Sequence, residues 1–109
     1  MIDIVSIGNE EQLNEVFTLP KAILFKNSYA CGISRHARGE VEEFAREHAG
    51  EVPVYMIDVV TDRSLSNMAA ARTGVRHESP QAFYIEKGIV VWHASHFSIT
   101  KEALEKVAG

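Results

Sequence analysis

Two short apolar runs constrain this chain more than any other feature: Ala22 to Phe25 and Val52 to Val60 carry no regular polar alternation, the pattern of strands covered on both faces. The stretch between them is helical in period. From Cys31 onward, Ile33, Ala37, Val41, Phe44, Ala45 and His48 fall near one side, whereas Arg35, Arg38, Glu42 and Arg46 fall toward solvent, and Gly50 ends the pattern. Gly39 inside this helix is up to about 1 kcal/mol less favourable than alanine, which points to close packing there. Earlier in the chain, Ile2 to Ile7 alternates weakly, as a half-exposed strand does. Asn9 is placed to cap a helix with Gln12 three residues on; Leu13, Val16 and Phe17 form its apolar face and Pro20 ends it. Beyond Val60, the turn-formers Thr61 and Asp62 lead into a short helix over Ser64 to Thr73, closed by Gly74 in the left-handed C-cap role. Gln81 to Ile85 and Ile89 to His93 are strands joined through Glu86-Lys87-Gly88, and Thr100 caps a last helix running to Ala108.

The resulting order is strand, helix, strand, helix, strand, helix, strand, strand, helix. Strands joined by right-handed helical crossovers and followed by a hairpin give an α/β fold with a mixed central sheet and helices on both faces. At 109 residues, 46% of them hydrophobic, the chain has enough apolar material for one core, so residues 1–109 are expected to form one domain. Fifteen acidic and eleven basic residues are spread along the chain and leave a net charge of −4, without the basic stripe of a nucleic-acid binder. No segment approaches the length of a membrane span, and Met1 to Ser6 lacks a basic stretch leading into a long apolar one. The expected compartment is therefore the cytoplasm.

Cys31 is the sole cysteine. No internal disulfide can form, which excludes a disulfide-stapled secreted scaffold, and any disulfide it makes must join another molecule. It stands in the run Phe25-Lys26-Asn27-Ser28-Tyr29-Ala30-Cys31-Gly32-Ile33-Ser34, where a strand gives way to a helix. A thiol at the first helical turn faces unpaired N–H groups and the positive end of the helix dipole. Such surroundings lower a cysteine pKa from about 8.5 into the range of roughly 3.5 to 7.5. The alternative is a small buried hydrophobe with no reactivity.

A reactive cysteine at the tip of the second strand, at the start of the second helix, is the thioredoxin-like arrangement. Proteins of that fold place a cis proline beside the cysteine, and Ser79-Pro80 stands at the corresponding point before the hairpin. A cis bond there would let the Ser79 backbone pair with an extended disulfide substrate; otherwise Pro80 merely starts an edge strand. Ser34 occupies the position of the second, resolving cysteine of a Cys-x-x-Cys motif. A single thiolate can take over the small thiol of a mixed disulfide but cannot release itself through an internal bridge. Another small thiol or a reductase must then finish the cycle. The Ser34 hydroxyl is a candidate donor to the thiolate, although serine in a first helical turn is also common as a capping residue.

The segments Phe25-Lys26-x-Ser28-x-x-Cys31-x-Ile33-Ser34, Leu65-Ser66-Asn67, Gly74-Val75-x-His77-Glu78-Ser79-Pro80-Gln81 and Trp92-His93-Ala94-Ser95-His96-x-x-Ile99-Thr100 resemble the YtxJ-like bacilliredoxins over nearly the whole chain. The resemblance implies a monothiol, thioredoxin-fold protein of the bacillithiol system. It further implies removal of bacillithiol, the cysteinyl-glucosaminyl-malate thiol, from S-bacillithiolated proteins, with Cys31 as the attacking and accepting thiol. Bacillithiol would be a co-substrate rather than a tightly bound cofactor. The sequence departs from that family at Gly32, where proline is commoner; glycine restores an N–H near the sulfur and removes a rigid residue. Cys31-Gly32-Ile33-Ser34 also resembles the Cys-Gly-Phe-Ser motif of monothiol glutaredoxins, which implies an iron–sulfur cluster carrier. The Gly-Gly and acidic pair with which those proteins clamp glutathione is missing from Trp92 to His96. A thioredoxin-like binding module with an inert cysteine is the third reading.

Lys26 and Arg35 flank the thiol, and either cation can favour the thiolate or hold a malate carboxylate of bacillithiol; the alternative places both in solvent at the ends of their elements. His36, one residue past Arg35, points elsewhere around the helix. His77, His93 and His96 with Cys31 are candidate metal ligands, but a spacing of three puts His93 and His96 on opposite faces of a strand unless the chain turns between them. No metal is expected. Trp92 reads as a packing residue.

Overall fold

The computed structural model describes residues 4–29 and 31–108. Its elements are β1 (Ile4–Ser6), α1 (Glu10–Val16), β2 (Lys21–Asn27), α2 (Gly32–His48), β3 (Val54–Asp58), α3 (Arg63–Thr73), β4 (Gln81–Glu86), β5 (Ile89–Ser95), a 3-10 turn over His96–Ser98, and α4 (Lys101–Ala108). The expected first strand thus begins partly outside the described residues, at Ile2. The strands form one sheet in the order β1-β3-β2-β4-β5. β1, β3 and β2 run parallel, and β4 and β5 complete the sheet antiparallel, so it is mixed as expected.

Side chains of β2 alternate between two cores. Ala22 and Leu24 join Leu13, Val16, Phe17, Leu65 and Ala69 beneath α1 and α3. Ile23 and Phe25 join Ala37, Val41, Phe44 and Leu104 beneath α2 and α4. Each fully buried side chain of this size contributes roughly 1.5–3 kcal/mol, so both helical layers depend on the central strand. Trp92 is half-buried and packs on the α2/α4 side.

Local chemistry explains most element ends. Asn9 Oδ1 accepts from the Gln12 amide at 2.8 Å, while Gln12 Oε1 reaches back to the Gly8 amide at 2.7 Å. Gly74 closes α3 with φ 72°, and Thr100 Oγ1 accepts from the Ala103 amide at 3.0 Å at the start of α4. At the hairpin, Lys87 (φ 51°) and Gly88 (φ 82°) are both left-handed, as a two-residue I′ turn requires. A Cβ at Gly88 would stand 3.0 Å from the Phe17 carbonyl oxygen, and the Lys87 amide donates to the Pro20 carbonyl. Between β4 and β5, Tyr84 faces Trp92 and Ile85 faces Val90; Val91 is the extra residue of a bulge.

Four expectations are corrected. β2 runs through Lys26 and Asn27, both wholly buried, two residues beyond the apolar run. β3 spans only Val54–Asp58 of the expected Val52 to Val60; at its far end the Asp58 carboxylate accepts from the Val60 and Thr61 amides and turns the chain out of the sheet. A Cβ at Gly39 would meet nothing within 4 Å, so packing does not account for that glycine. Arg38 does not simply face solvent: it donates to Asn27 Oδ1 at 3.1 Å and lies 4.7 Å from the centroid of the Tyr29 ring.

Candidate active site

The β2–α2 junction positions the thiol. Asn27 is the last residue of β2, and after it the Cys31 amide donates to the Ser28 carbonyl at 3.3 Å while the Cys31 carbonyl accepts from the Arg35 amide at 3.1 Å. Cys31 is the N-cap of α2, with extended backbone (φ −112°, ψ 129°), and its residue is half-buried. Among the described residues no side chain caps this helix, so the first-turn amides are free to face the sulfur.

Those amides dominate the thiol. Its pKa is lowered chiefly by the Ser34 N–H, then by the Ile33 N–H, against a smaller opposing effect of burial; the Ser34 hydroxyl adds the weakest lowering influence. Among the described residues the buried Ser34 Oγ has no hydrogen-bond partner. A buried hydroxyl left unpaired beside a thiol is a donor that the thiolate can use. The Gly32 N–H is not among these influences.

Register brings the second candidate segment to the same end of the sheet. Lys26 of β2 faces Gln81 of β4, and Gln81 faces Ser95 of β5, so Ser79-Pro80 enters the sheet at the end from which β2 departs toward Cys31. The Ser79–Pro80 peptide bond is cis. Pro80 is buried, its carbonyl accepts from the His96 amide at 3.1 Å, and Ser79 Oγ is buried without a partner among the described residues. Gln81, also buried, braces the loop before it: its Nε2 donates to the Arg76 carbonyl at 3.0 Å and its Oε1 accepts from the Glu78 amide at 3.3 Å.

The structure separates the two flanking cations. The exposed Arg35 is not among the groups that shift the thiol, and neither is Lys26. Lys26 has no exposed surface, and its Nζ lies 3.1 Å from His77 Nδ1 and 5.8 Å from the centroid of the Phe83 ring. Loss of hydration pulls its pKa down from 10.5 to about 8. Ser66 Oγ stands 3.2 Å from the same imidazole nitrogen. Burial lowers the His77 pKa as well, assisted by the charges of Lys26 and Arg63 and opposed by Glu78.

The histidines disperse. His36 stacks obliquely near Phe97, His93 lies across from Phe83, and His48 pairs with Glu105 at 2.9 Å. The chain does turn between His93 and His96, where His96 adopts φ 55° and its Nδ1 comes within 4.0 Å of Glu78.

Sequence reasoning singled out Lys26 and His77 but not their contact, since the two are remote along the chain, and it missed the parts played by Ser66 and Gln81. One signal was present: a lysine followed by an asparagine, directly continuing the wholly apolar run Ala22 to Phe25.

Known proteins share this fold. A solved protein of thioredoxin fold, named as a candidate oxidoreductase, is 30% identical with a TM-score of 0.89, over 97% of this chain and 94% of the other. A thioredoxin variant from Halobacterium salinarum NRC-1 superimposes with a TM-score of 0.76 at 19% identity, over 96% and 87% of the two chains. Thioredoxin from Malassezia sympodialis gives 0.77 at 16% identity, with the same coverage. These two establish the fold alone. The sequence profile of the monothiol bacilliredoxin BrxC matches residues 5–104. With its single thiol at the start of α2 and a thioredoxin fold, the chain belongs to the monothiol bacilliredoxin family, whose chemistry is thiol–disulfide exchange.

Proposed function

We propose that this protein removes bacillithiol from S-bacillithiolated proteins. The observation that carries the reading is the placement of the sole thiol at the N-cap of α2, where two backbone N–H groups favour the thiolate and Ser34 stands where a resolving cysteine would be. The Cys31 thiolate attacks the bacillithiol sulfur of the mixed disulfide. That S–S bond breaks, the substrate cysteine leaves as a thiolate and takes a proton from water, and a Cys31–bacillithiol disulfide forms with no net oxidation. A second bacillithiol then attacks this bond, leaving bacillithiol disulfide and the Cys31 thiolate; a dedicated reductase is the other possible resolver. Gly32 begins the helix that supplies the N–H groups, Ser34 offers its hydroxyl to the charged sulfur, and Ser79-Pro80 gives the substrate backbone a place to rest.

Sulfur chemistry of this kind calls for no resident cofactor, and a reducing cytoplasm is the compartment in which Cys31 rests as a thiol. Among the described residues no helix is long and apolar enough to cross a membrane. The test is to incubate reduced protein separately with a bacillithiolated and a glutathionylated model protein and read intact mass. Acquisition of bacillithiol on Cys31 is expected. Efficient acquisition of glutathione without bacillithiol would overturn the assignment.

A further inference from the structure

A buried ammonium with no carboxylate beside it is an unusual object. Lys26 is completely enclosed, no carboxylate among the described residues lies within ion-pairing distance, and its polar contact is the imidazole of His77. An ammonium can only donate, so His77 Nδ1 accepts. In the neutral ring the proton is then held on Nε2, and His77, an exposed residue, lines a cleft of about 510 Å³ with Arg76, Glu78, Ser79 and His96.

The cleft lining carries one cation, Arg76, and one carboxylate, Glu78, and further positive charge stands near His77 outside the lining. Lys26 and Arg63 act on His77 against Glu78 alone, and Glu78 is itself within 4.0 Å of His96. The opposite side of the same sheet end differs: the hollow beside Tyr29, between the ends of β1 and β3, is lined by Asp58 and Asp62 with no cation. The cleft adjoins Ser79-Pro80, and its volume is that of a small-molecule site.

We propose that the cleft formed by Arg76 to Ser79 and His96 binds a carboxylate of the low-molecular-weight thiol carried by the substrate disulfide, with His77 Nε2–H and the Arg76 guanidinium as donors. Lys26 is the positioning residue: it fixes the His77 tautomer from behind and strengthens the exposed donor by lending it charge. The proposal rests on the de-bacillithiolation reading for the identity of the thiol, since its malate unit supplies the carboxylates. The anion site itself stands on the geometry.

Two measurements test it. In the first, full-length reduced protein is titrated with L-malate while NMR follows the His77 ring nitrogens and the amides of residues 76–79. Saturable shifts are expected in the wild type, with the ring protonated at Nε2, and affinity about tenfold weaker in K26M and in H77Q, the loss typical of one charge-assisted hydrogen bond. His77 is exposed, so H77Q keeps the test intact should K26M fail to fold. Absence of saturable shifts, or equal affinity in wild type and variants, overturns the site. In the second, one model protein carries either bacillithiol or 2-mercaptoethanol on the same cysteine, and the ratio of the two kcat/KM values is compared. Both variants should lower that ratio by about tenfold. Malate binding with an unchanged ratio overturns the small-thiol assignment and gives the cleft to an acidic group of the partner protein. Failure of the wild type to take up bacillithiol, with malate binding intact, removes the proposed function while supporting the anion site.

Discussion

Cys31 and Lys26 stand five residues apart, and both have pKa values pulled downward, for opposite reasons. At the start of α2 the charged form is favoured: the half-buried thiol meets amide N–H groups, so thiolate becomes easier to form. At the end of β2 the charged form is penalised: the amine is enclosed, so ammonium becomes harder to keep. The same direction of shift therefore marks a charged form that is stabilised in one place and a charged form that is penalised in the other. A lowered pKa alone does not point to a nucleophile; its cause must also favour the charged form.

The largest effect should come from removing the sulfur. Cys31→Ser should abolish formation of any mixed disulfide, checked by intact mass after exposure to a bacillithiolated protein; retained transfer would show that another group carries the chemistry. Next is Lys26→Met. The folded protein releases the Lys26 proton near pH 8, whereas the unfolded chain holds it to about 10.5. Between those values the unfolded state binds more protons, so wild-type stability gains from Lys26 as pH rises through that window. Urea unfolding at a series of pH values should show this gain in the wild type and its loss in Lys26→Met, with Cys31 common to both. Parallel profiles would mean that the amine is not desolvated as described.

A smaller effect is expected at Ser34. Ser34→Ala should move the Cys31 titration upward, by less than the backbone N–H groups lower it, as read from alkylation rate against pH. No upward movement would leave the thiolate to the backbone alone. The smallest concerns Gly32. Its N–H is not among the groups that lower the Cys31 pKa, a Cβ there meets nothing within 4 Å, and Cys31 already has the extended backbone that a following proline demands. Gly32→Pro should leave the alkylation midpoint in place and raise stability by about 0.4–1 kcal/mol in thermal unfolding. A shifted midpoint would bring the Gly32 amide back into the account of the thiol.

Legibility followed the range of the interactions. The alternation of apolar runs with amphipathic stretches made the sheet and its helical layers readable, because each element displays its burial in its own residues. The thiol was readable for the same reason: strand end, cysteine and first helical turn are contiguous. Lys26 was not, since His77 lies 51 residues further along and only the folded sheet brings them together. Asn27 was hidden in the same way behind Arg38, and the end of β3 behind the Asp58 side chain. Gly39 shows the converse error, a local rule suggesting a tertiary cause where the fold leaves open space.

The bulge at Val91 has a consequence for solubility. β5 borders the sheet and exposes Ile89 and Val91, a combination that invites a stray chain to add itself as a further strand. The extra residue breaks the even spacing of amides and carbonyls along that margin, so an incoming strand loses its ladder midway. A protein whose proposed substrates arrive as extended segments thereby discourages them from zipping onto its border.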